Sequence, residues 1–299
     1  KIFALAFIGL TTLLLTACNS GPTLVLYNWG DYINEDLVYA FEAETGIRVE
    51  MLYFDSNEVA VSQALSGNHY DLIIPSDYAI EQLVQEDYLQ PIDWDQITTF
   101  DKEEDLTSNL ASVLGHLNEG ENGFDFLEYA VPYMWGNFSL LYNTVTVDEA
   151  DLTGWDALYN TDYRVTLYNS AREGFMVAFK ALGYSANTTN PDEIAAAKQW
   201  LLDLKAAQGN NLSIIGDQIL DNMATEGSEL YDLSVVYSGD AIVLTSVNPN
   251  LAIFTPEDGT NVWVDGFVLP KDSNTDLAYQ FINFMVDYDN AYANTEYIG

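Results

Sequence analysis

Cysteine occurs once in these 299 residues and histidine twice, and lysine and arginine together number nine against 46 aspartates and glutamates. Each scarcity excludes something. A single thiol leaves no partner for a disulfide within the chain, so the fold must stand on packing alone. The two histidines, His69 and His116, both fall in polar, loop-like stretches. They are too few for a zinc cluster and leave few members for a Ser-His-Asp arrangement. A formal charge of −37 repels phosphates, which excludes nucleic acid as a partner. Most of that charge must be solvated surface, and a saline habitat would select the same excess, so net charge supports a cationic ligand only weakly. Also missing are GxGxxG, GxxxxGK[ST] and GxSxG, so nucleotide chemistry is not expected and no serine-hydrolase signature is present, while acids everywhere leave a glycosidase carboxylate pair open though none stands out. Asp272, Asn274 and Asp276 alternate as calcium ligands do, but without the glycine and closing glutamate of an EF-hand they read as a solvated turn.

The lone cysteine is informative by its position. Lys1 precedes an apolar run over residues 2–15, which ends in Leu15-Thr16-Ala17-Cys18. A basic start, an apolar stretch and small residues before a cysteine read as a lipoprotein signal. The run is shorter than the ~20 residues that span a bilayer. Cleavage before Cys18 would leave a lipid-modified N-terminus, with residues 1–18 as signal and lipobox and 19–23 as a tether. The protein would then be held at the outer face of the cytoplasmic membrane or in a periplasm.

About 280 residues remain, enough for two moderate α/β units. Short apolar runs alternate with helical segments: strands at 24–27, 48–53 and 71–74, helices at 34–44, 58–65 and 79–85. Residues 91–125 read as an irregular connection with a short helix. A second unit starts near residue 130, with strands at 164–168, 233–237 and 262–269 and helices at 173–182, 192–207 and 216–224. An amphipathic helix over 275–288 closes the pattern. In such folds ligands sit beyond the carboxyl ends of strands, which singles out Trp29-Gly30-Asp31-Tyr32 and Ser76-Asp77-Tyr78.

Aromatic and acidic residues coincide there and at three further places: Arg172-Glu173, Tyr237-Ser238-Gly239-Asp240 and Trp263-Val264-Asp265. Any one ring could be core packing; five such coincidences point to a site. Ring faces hold the methylenes of an organic cation and attract its ammonium by ~0.5 to 2 kcal/mol, and carboxylates accept its N–H bonds. That combination suits a diamine or polyamine.

The chain resembles the polyamine-binding receptors of bacterial ABC importers, the spermidine and putrescine periplasmic binding proteins. The similar stretches run from residue 24 onward and include Leu26-Tyr27-Asn28-Trp29-Gly30-Asp31-Tyr32, Tyr70-Asp71-Leu72-Ile73-Ile74-Pro75-Ser76 and Pro132-Tyr133-Met134-Trp135-Gly136. The resemblance implies a two-lobed periplasmic-binding-protein type II fold with a ligand cleft between the lobes. Lobe 1 would take residues 24–130 and 265–299, and lobe 2 residues 131–264. By similarity Trp29, Tyr32, Tyr237 and Trp263 form an aromatic box, and Ser76 and Tyr78 donate or accept hydrogen bonds from lobe 1. Asp265 meets a terminal ammonium, and Glu173, Asp31 and Asp240 are further acids. The implied partners are ABC permease subunits and a membrane reached through the lipid anchor, with the receptor itself a monomer.

Departures bear on the ligand. Spermidine-type receptors carry an aspartate where this chain has Ser170, and Tyr237 replaces a tryptophan. With Asp31 and Asp240 present, these tilt the expectation toward putrescine, with spermidine as the alternative. Relatives continue past Gly299, so the C-terminus reads as truncated. Two other readings stay open from residues alone. One is a receptor of the same fold for another solute; the other is a secreted glycan-degrading lipoprotein with two carboxylates ~5 to 9.5 Å apart.

Overall fold

The structure, a computed structural model, describes residues 21–118, 124–216 and 218–299. The signal sequence and Cys18 lie outside the described residues. The first part of the chain alternates β1 (Thr23–Trp29), α1 (Glu35–Thr45), β2 (Arg48–Phe54), α2 (Asn57–Leu65), β3 (Leu72–Ile73), α3 (Asp77–Gln85) and β4 (Leu89–Gln90). Local chemistry sets these limits. The Asn34 side chain accepts from the Asp36 N–H to start α1, and Gly46, at φ 73°, ends it in the left-handed conformation that glycine adopts without strain. Ser56 does the same for α2 by accepting from Val59.

After α4 (Ser108–Asn118) and α5 (Phe126–Tyr129) comes β5, fourteen residues from Ala130 to Asn143. Then follow β6 (Val165–Tyr168), α6 (Ala171–Ala181), α7 (Pro191–Gln208), β7 (Leu212–Ile215), α8 (Gln218–Met223), β8 (Leu233–Tyr237), α9 (Ser238–Val247), β9 (Leu251–Phe254), β10 (Val262–Pro270), α10 (Thr275–Val286) and α11 (Tyr288–Ile298). The strands hydrogen-bond in the order β2-β1-β3-β10-β5-β8-β6-β7, with β4 on β10 and β9 on β5. β1 is parallel to β2 and β3, and β6 to β7 and β8; β5 and β10 run antiparallel to their neighbours.

Strand alternation explains the layering. Leu26, Leu72 and Phe267 pack with α1 and α10 on one face, while their chain neighbours Tyr27, Ile73 and Val268 pack with α2 and α3 on the other. Farther along, Leu140 and Val235 face the core of Trp155, Val177 and Leu204, and Leu141 and Val236 face α8 and α9. Each half is therefore a sheet covered by helices on both faces, and the chain has the two-lobed α/β fold. Val131 packs in the first half and Phe138 in the second, so the crossing lies inside β5.

Several elements differ from the sequence reading. The helix within 91–125 is eleven residues long, held by buried Leu110 and Leu114, and it contains Gly115. His116 is therefore not in a loop but in the last turn of α4, its Nδ1 2.7 Å from the Ser112 carbonyl oxygen. The apolar sequence 241–247 forms most of α9, which starts directly after β8 without a loop. The closing helix ends at Val286, and Asp287 caps a further helix, α11, by accepting from the Asp289 N–H. α11 has a polar sequence with little periodicity and is held by tertiary contacts. Asn294 accepts from the Asn34 N–H at 2.9 Å and donates to the Tyr133 hydroxyl at 2.8 Å. Asn274, in the suspected turn, caps α10. Among the described residues no helix is long and apolar enough to cross a membrane, and no three His, Cys, Asp or Glu side chains are grouped to hold a metal.

Candidate functional site

Asp265 lies where β10 passes between the two halves. β10 pairs with β5 through Trp263↔Gly136 and Asp265↔Met134, then Gly266↔Pro132, so the register slips by one residue at Asp265/Gly266. Such a bulge re-aims side chains. The extra residue, Tyr133, turns its hydroxyl to donate to the Tyr32 carbonyl at 2.6 Å. Gly266 is required here, because a Cβ would stand 2.8 Å from the Phe126 ring and 2.9 Å from Ala130.

The Asp265 carboxyl is 4 % exposed. Tyr32 donates to its Oδ2 at 2.8 Å, and its Oδ1 has no partner. Ser76 forms an isolated backbone bridge to the same residue. Burial pushes the Asp265 carboxyl up to about 7; the neighbouring Ser76 and the Tyr32 hydroxyl oppose the shift, and the charge of Asp77 adds to it. Tyr32 is in turn raised well above a normal phenol, by burial first and by Asp265 second.

Tyr237 and Trp263 stand beside this acid. Tyr237, at the end of β8, meets Trp263 edge-to-face at 5.9 Å between centroids and contacts Tyr168 at 4.9 Å and Phe138 at 4.1 Å. Burial, then Glu173, raise its hydroxyl well above the usual value; Asp265 and Asp240 contribute less. Gly136 makes room for the Trp263 ring: a Cβ there would lie 2.7 Å from it and from Ser238 Oγ. Trp29 closes β1 and packs on Phe54 at 4.6 Å. The indole nitrogens of Trp29 and Trp263 are buried without hydrogen-bond partners. Buried polar atoms normally find partners, and the unpartnered Asp265 oxygen is an acceptor open to a ligand N–H donor.

The remaining expected residues are distributed around it. Ser76 is fixed to Asn57 twice, accepting from Nδ2 at 2.9 Å and donating its N–H to Oδ1 at 3.1 Å. The Tyr78 hydroxyl donates to Glu58 at 3.2 Å. Glu173 accepts a short hydrogen bond from the Ser170 hydroxyl. Asp240 is in the first turn of α9, where a helix N-terminus favours a carboxylate. Asp31 has φ 51° and faces outward, lining a groove of about 360 Å³ with Glu35, Met51, Tyr53 and Tyr297; Tyr32 is shared between this groove and the buried acid.

Two members of the site were not among the expected residues. Asp77 accepts from the Val264 N–H at 2.9 Å, pinning β10 next to Asp265. Its carboxyl is raised by burial, against the Val264 bond and the Arg172 charge. Tyr133 holds the Tyr32 backbone. Asp77 stood in a segment already singled out, but only the approach of β10 gives it a role.

Over residues 36–299 the chain matches the bacterial extracellular solute-binding protein family. The spermidine/putrescine-binding periplasmic protein of Salmonella typhimurium is 31% identical over 286 residues, covering 94% of this chain and 77% of that protein. Among solved structures, the spermidine/putrescine ABC transporter substrate-binding protein of Streptococcus pneumoniae is 34% identical with a TM-score of 0.72, over 93% of this chain and 82% of that one. A lipoprotein of Treponema pallidum is 27% identical with a TM-score of 0.74, over 92% and 82%. With its two-lobed fold and this extent of similarity, the chain belongs to the bacterial extracellular solute-binding proteins.

Proposed function

We propose that this protein captures a polyamine outside the cytoplasmic membrane and delivers it to the permease of an ABC importer, without chemical change to the ligand. The lobes divide within β5 and β10: lobe 1 takes residues 24–131 and 264–299, and lobe 2 the stretch from Phe138 to the start of β10, with the ligand between them. A lipid on Cys18 holds the receptor to the membrane. The observation that carries this reading is the Asp265 carboxyl, buried with one oxygen unpartnered. An isolated buried carboxylate costs free energy that a neutral solute does not offset, whereas an ammonium does. Similarity to receptors named for spermidine and putrescine supports the same conclusion.

Between polyamines, the reading favours a diamine such as putrescine. Ser170 stands where a carboxylate would serve a third ammonium, and its hydroxyl is engaged by Glu173. Calorimetric titration with putrescine, spermidine, arginine and maltose tests the reading. Saturable binding of a polyamine at micromolar Kd or tighter, about −8 kcal/mol, is expected. Folded protein that gives no polyamine heat overturns it, and spermidine bound more tightly than putrescine overturns the diamine preference.

A further inference from the structure

α3 and α6 belong to different cores. α3 buries Ala79, Ile80 and Leu83 with β1, β3 and β10, and α6 buries Met176, Val177 and Phe179 with β5, β6 and β8. Their N-terminal turns nevertheless meet. The guanidinium of Arg172, in the first turn of α6, lies 4.1 Å from the centroid of the Tyr78 ring at the start of α3. The Tyr78 hydroxyl is held from its own side by Glu58. Asp77, the residue before it, is fastened to β10 through the Val264 N–H and feels the Arg172 charge. A flat, weakly hydrated guanidinium suits a ring face better than an ammonium does. Arg172 is one of three arginines in the chain. It is itself exposed, so its placement is not forced by core packing.

We propose that Arg172 is a built-in cation that clasps the two lobes together in the absence of ligand, docking from lobe 2 on the Tyr78 ring and beside Asp77 of lobe 1. The clasp rests on the lobe assignment above and not on the identity of the ligand. A contact made only when the lobes are together biases the open-closed equilibrium toward closure by its own interaction free energy. It also presents Glu173, the next residue, to the cleft with its neighbour's charge already balanced by lobe 1.

The test is the distance between spin labels on the two lobes, measured without polyamine in full-length protein carrying Cys18→Ser, Asn109→Cys and Lys198→Cys. Arg172→Gln is expected to lengthen and broaden that distance. Tyr78→Leu should do the same, Tyr78→Phe should preserve the short distance because the ring face remains, and Arg172→Gln with Tyr78→Leu should add nothing to either alone. A circular dichroism spectrum matching the parent confirms folding for each variant. An unliganded distance unchanged by Arg172→Gln, or full additivity of the two substitutions, overturns the clasp. Because no polyamine is present, either result is independent of whether the calorimetric titration succeeds.

Discussion

Tyr32 donates its phenolic hydrogen to Asp265 at 2.8 Å although 233 positions separate them in the chain. The bond joins the loop after β1 to β10 opposite the bulge in β5. It leaves the second carboxyl oxygen without a partner, and most of what can be tested about this protein passes through that acid.

Asp265→Asn removes the charge with little change of shape. Polyamine binding is expected to weaken at least tenfold, which is ~1.4 kcal/mol or more, by calorimetry. Unchanged affinity would sink the assignment of Asp265 to an ammonium.

Stability should respond in the opposite sense. The folded carboxyl titrates at about 7, well above an ordinary aspartate. Between the two values the folded state binds more protons than the unfolded one, so this group's contribution to stability falls as pH rises from ~4 to ~7. In ligand-free protein, Asp265→Asn should therefore raise the Tm at pH 8 relative to wild type, by roughly 2–4 °C for each kcal/mol relieved. At pH 4 the two should melt alike. A Tm gain equal at both pH values would show that charge burial is not the cause.

The same raised carboxyl couples binding to protons. A ligand ammonium needs the ionised form, so capture expels a proton below neutrality. Polyamine affinity should rise with pH up to about 7 and then level off. Titrations at pH 6 in buffers of different ionisation enthalpy should give different observed heats, a difference that Asp265→Asn should abolish.

Ser170→Asp restores a carboxylate three residues before Glu173. Two acids on one helical turn repel unless a ligand charge lies between them. The ratio of spermidine to putrescine affinity is expected to rise several-fold, read by paired titrations. A ratio that falls or stays fixed would remove position 170 from the explanation of ligand choice.

Gly136→Ala places a methyl where the Trp263 ring and Ser238 Oγ stand at 2.7 Å. Trp263, on β10, is itself paired with Gly136, so the ring must move. A loss of ~1–3 kcal/mol in stability, the usual range for overpacking, should accompany weaker polyamine binding. Binding unaffected in a folded variant would show that Trp263 does not border the ligand.

Much of the fold was legible before any coordinates. Asn34, Ser56 and Asn190 cap helices that the sequence pattern predicts, and alternating apolar runs announce strands, because caps and side-chain periodicity act over a few residues. α11 was not legible, since its polar sequence carries no stripe and its anchor, Asn294, bonds to Asn34 and Tyr133 far away in the chain. α9 was missed because β8 runs into it without a connecting loop. His116 looked like a loop residue because Gly115 masks a helix that Leu110 and Leu114 hold by burial.

The sequence by itself determined the composition of the site: which rings and which acids were available, that basic groups and histidines were few, and that these stretches follow strands. Tertiary structure alone decided how they act. The bulge at Tyr133 lies opposite Asp265 and Gly266, Asp77 pins β10 beside that acid, and Asp31 turns outward into a groove that shares Tyr32 with it. Register slips and long-range hydrogen bonds depend on which segments meet. That is set by the summed burial of both cores rather than by any residue's neighbours in the chain.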